Sequence, residues 1–274
     1  MQAANPPKQR IVNLSGKQMN IIHANNFHFF EELNAVIQYE PAHSFDAELV
    51  GPFAPLGIKK GKPFNPDACM TKMLTDGVAI GNASARAITF SPRNPRYYIW
   101  PERKWNTPFT GGGNYAFYDN GERLLDDRVF IRYYATGITP AMTEPKVGLG
   151  SVDDIGAQYV NGGFLDDAKT YSVTLPAPVP AKDFWSFMVY DGQHRSMLET
   201  DQQLAGLDSL NPSGRPNAGG YCTMWFGPKA PAGKEGNWIQ TMSGKSFNVL
   251  IRLYGPLEPF FDKTWRPGDF VPVD

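Results

Sequence analysis

Two cysteines, Cys69 and Cys222, are too few and too far apart for a disulfide framework or a structural zinc site, and both read as buried small apolar residues. Neither sign of charge dominates. Lys and Arg number 26 against 27 Asp and Glu, a formal charge of −1, so the basic excess that nucleic-acid binding draws on is missing. Long apolar runs are missing as well: no stretch approaches the roughly 18 residues of a membrane span. The opening MQAANPPKQR is polar and proline-rich, which reads as a loose arm rather than a signal peptide. The common enzyme fingerprints G-x-S-x-G, H-E-x-x-H, C-x-x-C and G-x-G-x-x-G are absent. Gly244, Lys245 and Ser246 spell the end of a phosphate loop, yet Ile239 stands where the leading glycine belongs and strands are expected on both sides. That segment reads as a hairpin turn. His23 and His28, five apart on one expected helix, diverge too far to share a metal ion. No cofactor and no metal are implied.

Glycine (27), proline (24) and aromatic residues (13%) are plentiful, a mix suited to short strands meeting at tight turns with rings filling the space between sheets. In chain order, apolar residues from Met19 to Ile37 recur at helical spacing over 17–37, with Ser15 as cap and Pro41 as stop. A short helix is expected over 46–56. A longer one is expected from Asn65 and Pro66 to about Phe90, where Gly77, Gly81, Ala83 and Ala87 suggest close packing against a neighbour. Beyond Pro92 come aromatic runs at 97–100 and 114–118, read as strands or extended loops. A helix is expected over 126–136, opened by two carboxylates and closed by Gly137 and Pro140. From residue 157 strand signals take over, at 170–175, 184–191, 220–227, 237–242 and 247–255. No helical crossover separates the last three, which favours antiparallel pairing. The expected fold is therefore α+β: a flexible arm (1–15), a helical region with short strands (16–150), and a jelly-roll-like antiparallel β-sandwich (151–274) on which that region packs.

Three stretches join aromatic rings to charged or amide groups. They are Trp100 with Glu102 in WPERKW, Tyr190, Asp191, His194, Arg195 and Asp201 in YDGQHRSMLETD, and Trp225 with Trp238 and Gln240 in WFGP and NWIQ. Rings beside fixed hydrogen-bonding groups suit a groove for a sugar or small polar ligand, the ring covering the apolar side while amides and carboxylates read hydroxyls. The plainer reading ties Asp191 and Arg195 into loop structure and buries Trp225 and Trp238 in the core. Glu102 and Asp191, with His194 and Arg195, are the alternative acid, base and anion clamp of a hydrolase or lyase.

The run from YVNGGFLDDAKTYSVTL to LETDQ, followed by FGPKAPAGKEGNWIQTMSGKSFNVLIRLYGPLEPFFDKTWRPGDF, resembles the bacterial envelope family known as domain of unknown function 1214, over roughly 157–274. Tyr190, Asp191, Arg195, Ser196, Thr200 and Asp201 match its Y-D…R-S-M-L-x-T-D pattern. The preceding part, with NFHFFEELNAVIQ, GIKKGKPFNPDA and YYATGITPAM, is similar to the partner family, domain of unknown function 1254. The resemblance implies a β-sandwich and an envelope or periplasmic setting, whereas the chain as it stands reads as cytoplasmic. It implies no catalytic residues. Three functions follow as expectations: binding of a glycan or small molecule, low-motif hydrolysis or lysis, and subunit interaction as a homo-oligomer or with a separately encoded N-terminal partner.

Overall fold

Asn26 opens the first helix. Its side chain accepts from the His28 amide at 3.0 Å and its carbonyl from the Phe29 amide at 3.0 Å, leading into α1 (His28–Tyr39). The computed structural model describes residues 11–17, 24–107, 118–119, 121–134, 152–157, 159–160, 163–164, 169–193, 195–210 and 220–273. Its contacts divide the chain into two compact units, Met1–Ala79 and Ile80–Asp274.

In the first unit α1 is followed by α2 (Ala47–Val50), a 3-10 turn over Gly51–Leu56 and the start of α3 (Ala68–Phe90). The helix expected over 17–37 begins later than its apolar spacing suggested. Ser15 and Gly16 form a turn with Gly16 at φ +78°, and residues 18–23, including His23, lie outside the described residues. The expected cap Asn65 also gives way to a neighbour, since Asp67 Oδ1 accepts from the Met70 amide at 2.8 Å. Phe30, Ile37, Ile58 and Leu74 make a small core, with Phe27 stacked on Phe64 at 6.3 Å. Lys60 Nζ donates to the carbonyls of Gln38 and Glu40 at 2.5 and 2.6 Å, placing a cation on the orphan acceptors at the end of α1. Cys69 is exposed, contrary to the expectation of burial, because it falls on the solvent side of the first turn of α3. A methyl group added at Gly77 or Gly81 would meet nothing within 4 Å among the described residues, so these glycines do not mark close packing.

The second unit holds the rest of α3, α4 (Leu125–Tyr134) and two sheets. The five-stranded sheet runs in the order β1 (Trp105–Asn106), β4 (Val152–Ala157), β12 (Phe247–Pro256), β8 (Ala181–Asp191) and β9 (Gly206–Asp208), with every pair antiparallel. The four-stranded sheet runs β11 (Trp238–Gln240), β10 (Tyr221–Gly227), β7 (Thr170–Pro176) and β13 (Val271–Val273). Two small antiparallel pairs complete the unit, β2 (Tyr118–Asp119) with β3 (Glu122–Arg123) and β5 (Tyr159–Val160) with β6 (Gly163–Phe164). Both large sheets send alternate side chains into one core: Val173, Leu175, Met224 and Phe226 from one, Phe187, Val189, Val249 and Ile251 from the other. Phe187 meets Phe226 edge-on with centroids 5.5 Å apart. The chain is thus mixed α+β, with helices early and sheets late.

Two strand expectations are corrected. β11 pairs with β10 in parallel, Trp225 opposite Trp238, not antiparallel. Residues 228–237 make the crossover with a 3-10 turn instead of a helix, pinned where Asn237 Nδ2 donates to the Thr223 carbonyl at 3.1 Å. The next strand, β12, lies in the other sheet, so the turn at Gly244 (φ +87°) links two sheets and is not a hairpin.

Candidate functional site

β8 ends and β12 begins at the same rim of the second unit, Phe247 opposite Asp191. Past Asp191 the chain turns sharply. The Asp191 amide donates to the Ser196 carbonyl and the Arg195 amide to the Asp191 carbonyl, both at 2.8 Å, and Arg195 is held at φ 62°, a conformation side chains other than glycine seldom adopt. The Asp191 side chain, 3% exposed, accepts from the Gln193 amide at 2.6 Å and pairs with Lys245 Nζ at 3.2 Å. A nearly buried carboxylate is thus met by a cation and a backbone amide. Arg195 places its guanidinium 4.0 Å from the centre of the Tyr133 ring. His194 lies outside the described residues.

Asp201 and Gln240 meet directly. The Asp201 amide donates to Gln240 Oε1 at 3.0 Å, and Gln240 Nε2 donates back to Asp201 Oδ2 at 3.1 Å. Beside them Gln202 accepts from the Gln240 amide at 2.8 Å and donates to the Trp238 carbonyl at 3.1 Å. One side-chain amide therefore does for edge strand β11 what a neighbouring strand's peptide would do, and blocks that edge. Along this seam a groove of about 640 Å³ opens, lined by Glu199, Thr200, Asp201, Pro228, Gln240, Thr241, Met242, Ser243 and Lys245. Two of these lining residues, Thr200 and Thr241, have Oγ1 atoms that are buried from solvent with no hydrogen-bond partner among the described residues. Thr241 is only 2% exposed, and a hydroxyl left without a partner in such a position is costly.

The other candidate residues do not gather here. Trp100, 1% exposed, is a core ring packed edge-on against Phe260 and Trp265, with centroids 6.2 and 6.1 Å away. Glu102 is exposed and pairs with Arg266; hydrogen bonding from its own backbone, then the Arg266 charge, holds its carboxyl below the usual range. Tyr190 lies beneath Arg252, whose guanidinium is 5.7 Å from the ring centre. Trp225 and Trp238 are half-buried and side by side in register. The Trp238 indole donates to the Gly227 carbonyl at 2.9 Å, and Lys234 Nζ sits 5.0 Å from the centre of the Trp225 ring. Two residues on from Trp238 along the same strand, Gln240 enters the groove. Thr200 belongs to the YDGQHRSMLETD stretch, whereas Thr241 and Lys245 escaped sequence reasoning as candidates. Thr241 shares the inward parity of Ile239, and a polar residue at an inward position was the available signal.

Among the described residues no group of three or more His, Cys, Asp or Glu is placed to hold a metal ion, and no helix is long and apolar enough to cross a membrane. No curated protein matches the chain. It is similar to the crystal structure of the VPA0106 protein from Vibrio parahaemolyticus, at 15% identity and a TM-score of 0.43, over 98% of this chain and 59% of that one. A second similar structure, an uncharacterized protein from Burkholderia cenocepacia, is 12% identical with a TM-score of 0.35, over 83% of this chain and 48% of that one. The chain thus spans about half to three-fifths of the length of these proteins. Residues 156–258, which carry β7 to β12 and the whole groove, match the family described as Protein of unknown function (DUF1214).

Proposed function

We propose that the two sheets form a β-sandwich whose rim groove binds a small hydroxylated ligand, a sugar or polyol, with Trp238 beside it as the apolar contact. The observation that carries this reading is a groove whose lining offers Gln240, Asp201 and Lys245 beside Thr200 and Thr241, two residues whose hydroxyls have no partner among the described residues. Hydroxyls both donate and accept, so a polyol satisfies them without bringing in charge, and a ring face covers its C–H side. The sandwich itself is supported by the single core that both sheets fill. The envelope setting and the relation of residues 16–150 to the 1254 family rest on sequence resemblance alone.

The acid–base alternative has less in its favour. Asp191 already accepts from Gln193 and Lys245, and Glu102 from Arg266, so both carboxylates are taken up by partners within the chain. The test is calorimetric titration of the full chain with a panel of monosaccharides, disaccharides and polyols. At least one is expected to bind saturably, Thr241→Val to abolish that binding, and the stability without ligand to rise by about 1 kcal/mol or more, since an isosteric apolar group removes an unsatisfied hydroxyl. Absence of binding across the panel, or binding indifferent to both Thr241→Val and Trp238→Ala, refutes the reading.

A further inference from the structure

The outer face of the four-stranded sheet is continuous with the rim groove at Gln240. Because Ile239, Phe226, Tyr171 and Val173 point into the core, the alternate residues of β11, β10 and β7 point away from it. The register then sets Trp238, Trp225, Ser172 and Val271 side by side in one row across all four strands. In the adjoining row Thr223 faces Thr174, with their hydroxyls 3.0 Å apart. One of those hydroxyls donates to the other, which leaves one hydroxyl hydrogen to offer elsewhere. None of the described residues that face outward on these strands is charged, although 19% of the chain is. Charged side chains gather at protein surfaces, so a face with half-exposed tryptophans and an exposed Val271 but no charge is set apart from ordinary solvated surface.

The row repeats at a regular interval. Neighbouring strands lie about 4.8 Å apart, close to the advance of one sugar unit in an extended β-1,4-linked chain, so each strand can meet one unit. Trp238 starts the row two residues along β11 from Gln240, which lines the groove, a step of roughly 7 Å. Trp225 follows on β10, and Lys234 Nζ, 5.0 Å from the centre of its ring, brings ammonium N–H donors beside it. Ser172 on β7 adds a hydroxyl. Rings cover the C–H surface of a pyranose while hydroxyls and N–H groups read its edges. An uncharged face also offers little to a polyanion or to a charged protein surface.

We propose that the ligand is an extended β-1,4-linked oligosaccharide, with one unit in the rim groove and the next units laid across Trp238 and Trp225 toward Ser172. This assignment rests on the groove binding a sugar, and adds to it the linkage, the chain length and a second contact surface.

Calorimetric titration of the full chain compares glucose with cellotetraose, mannose with the β-1,4-linked mannotetraose, and N-acetylglucosamine with its β-1,4-linked tetramer. In at least one series the tetramer is expected to bind about tenfold or more tighter than the monomer, as a further ring contact and its hydrogen bonds imply. Trp225→Ala and Ser172→Lys, each checked for folding by circular dichroism, are expected to bring the tetramer within about threefold of the monomer and to leave the monomer unchanged. Thr241→Val is expected to weaken monomer and tetramer alike. Equal affinity for monomer and tetramer, or a tetramer bound as tightly by both face variants, overturns the extended path and leaves the groove standing. No binding in any of the three series overturns the path, and the groove with it only if the wider panel of sugars and polyols also fails. Tetramer binding that Trp225→Ala weakens and Thr241→Val does not touch overturns the continuity of face and groove. Light scattering that finds the parent chain dimeric and Trp225→Ala monomeric shows the face covered by a second copy, and likewise overturns the proposal.

Discussion

The four-stranded and five-stranded sheets meet in one core but differ on their outer faces. β10 alternates as a half-exposed strand should, with Cys222, Met224 and Phe226 inside and Tyr221, Thr223 and Trp225 facing out. β12 is buried at nearly every position. Phe247, Val249, Ile251 and Leu253 fill the core, and on the other face Asn248 and Leu250 are only 3% and 4% exposed. The first pattern is what one solvated face produces, and the second is what a strand covered on both sides produces. The difference also places polar chemistry: on the four-stranded sheet threonines and tryptophans stay half-exposed along the way to the groove, whereas on β12 the outward polar residue Asn248 is shut in.

Phe187→Ala strikes the core common to both sheets and is expected to cost about 3–5 kcal/mol in urea unfolding of the full chain. Leu250→Ala tests whether the outer face of β12 is truly packed. A loss of about 2–5 kcal/mol is expected, and a loss under about 1 kcal/mol would make that face equivalent to the outer face of β10. Thr223→Ala is the counterpart on the four-stranded sheet. It removes a hydroxyl 3.0 Å from that of Thr174 across the strand pair, and about 1 kcal/mol or less is expected. A further effect is alkaline. The phenol of Tyr97 titrates near 12 in the folded chain against an ordinary 10, so its contribution is complete below pH 10 and lost as pH rises toward 12. Denaturation midpoints measured across that window should fall less steeply in Tyr97→Phe than in the parent chain; identical slopes would remove Tyr97 from the account.

Much of the strand inventory was legible because alternation and bounding glycines and prolines act over a few residues. The segments expected at 170–175 and 184–191 appear as β7 and β8, and the carboxylates before Val129 open α4 as expected. The start of α1 was misplaced because apolar spacing continues through a stretch where Gly16 turns the chain and Asn26 supplies the opening bonds. The direction of β11 was misread because ten residues suffice for a parallel crossover once Asn237 and Trp238 fasten it to β10. At the candidate site, Asp201 and Gln240 come from separate stretches and lie in mutual hydrogen bond, but Trp100, which the sequence sets beside Glu102, is a core ring, because a neighbouring charge in the sequence does not decide which way a ring points.

By itself the sequence determined the α+β division, the positions of most strands and the lack of a charge excess, because propensity, alternation and composition are local or summed quantities. Which sheet each strand joins and which hydroxyls are buried without a partner were decided only by the tertiary structure. Burial and pairing depend on residues far apart in the chain, such as Asp191 with Lys245 or Arg96 with Asp127, and no local pattern encodes their meeting.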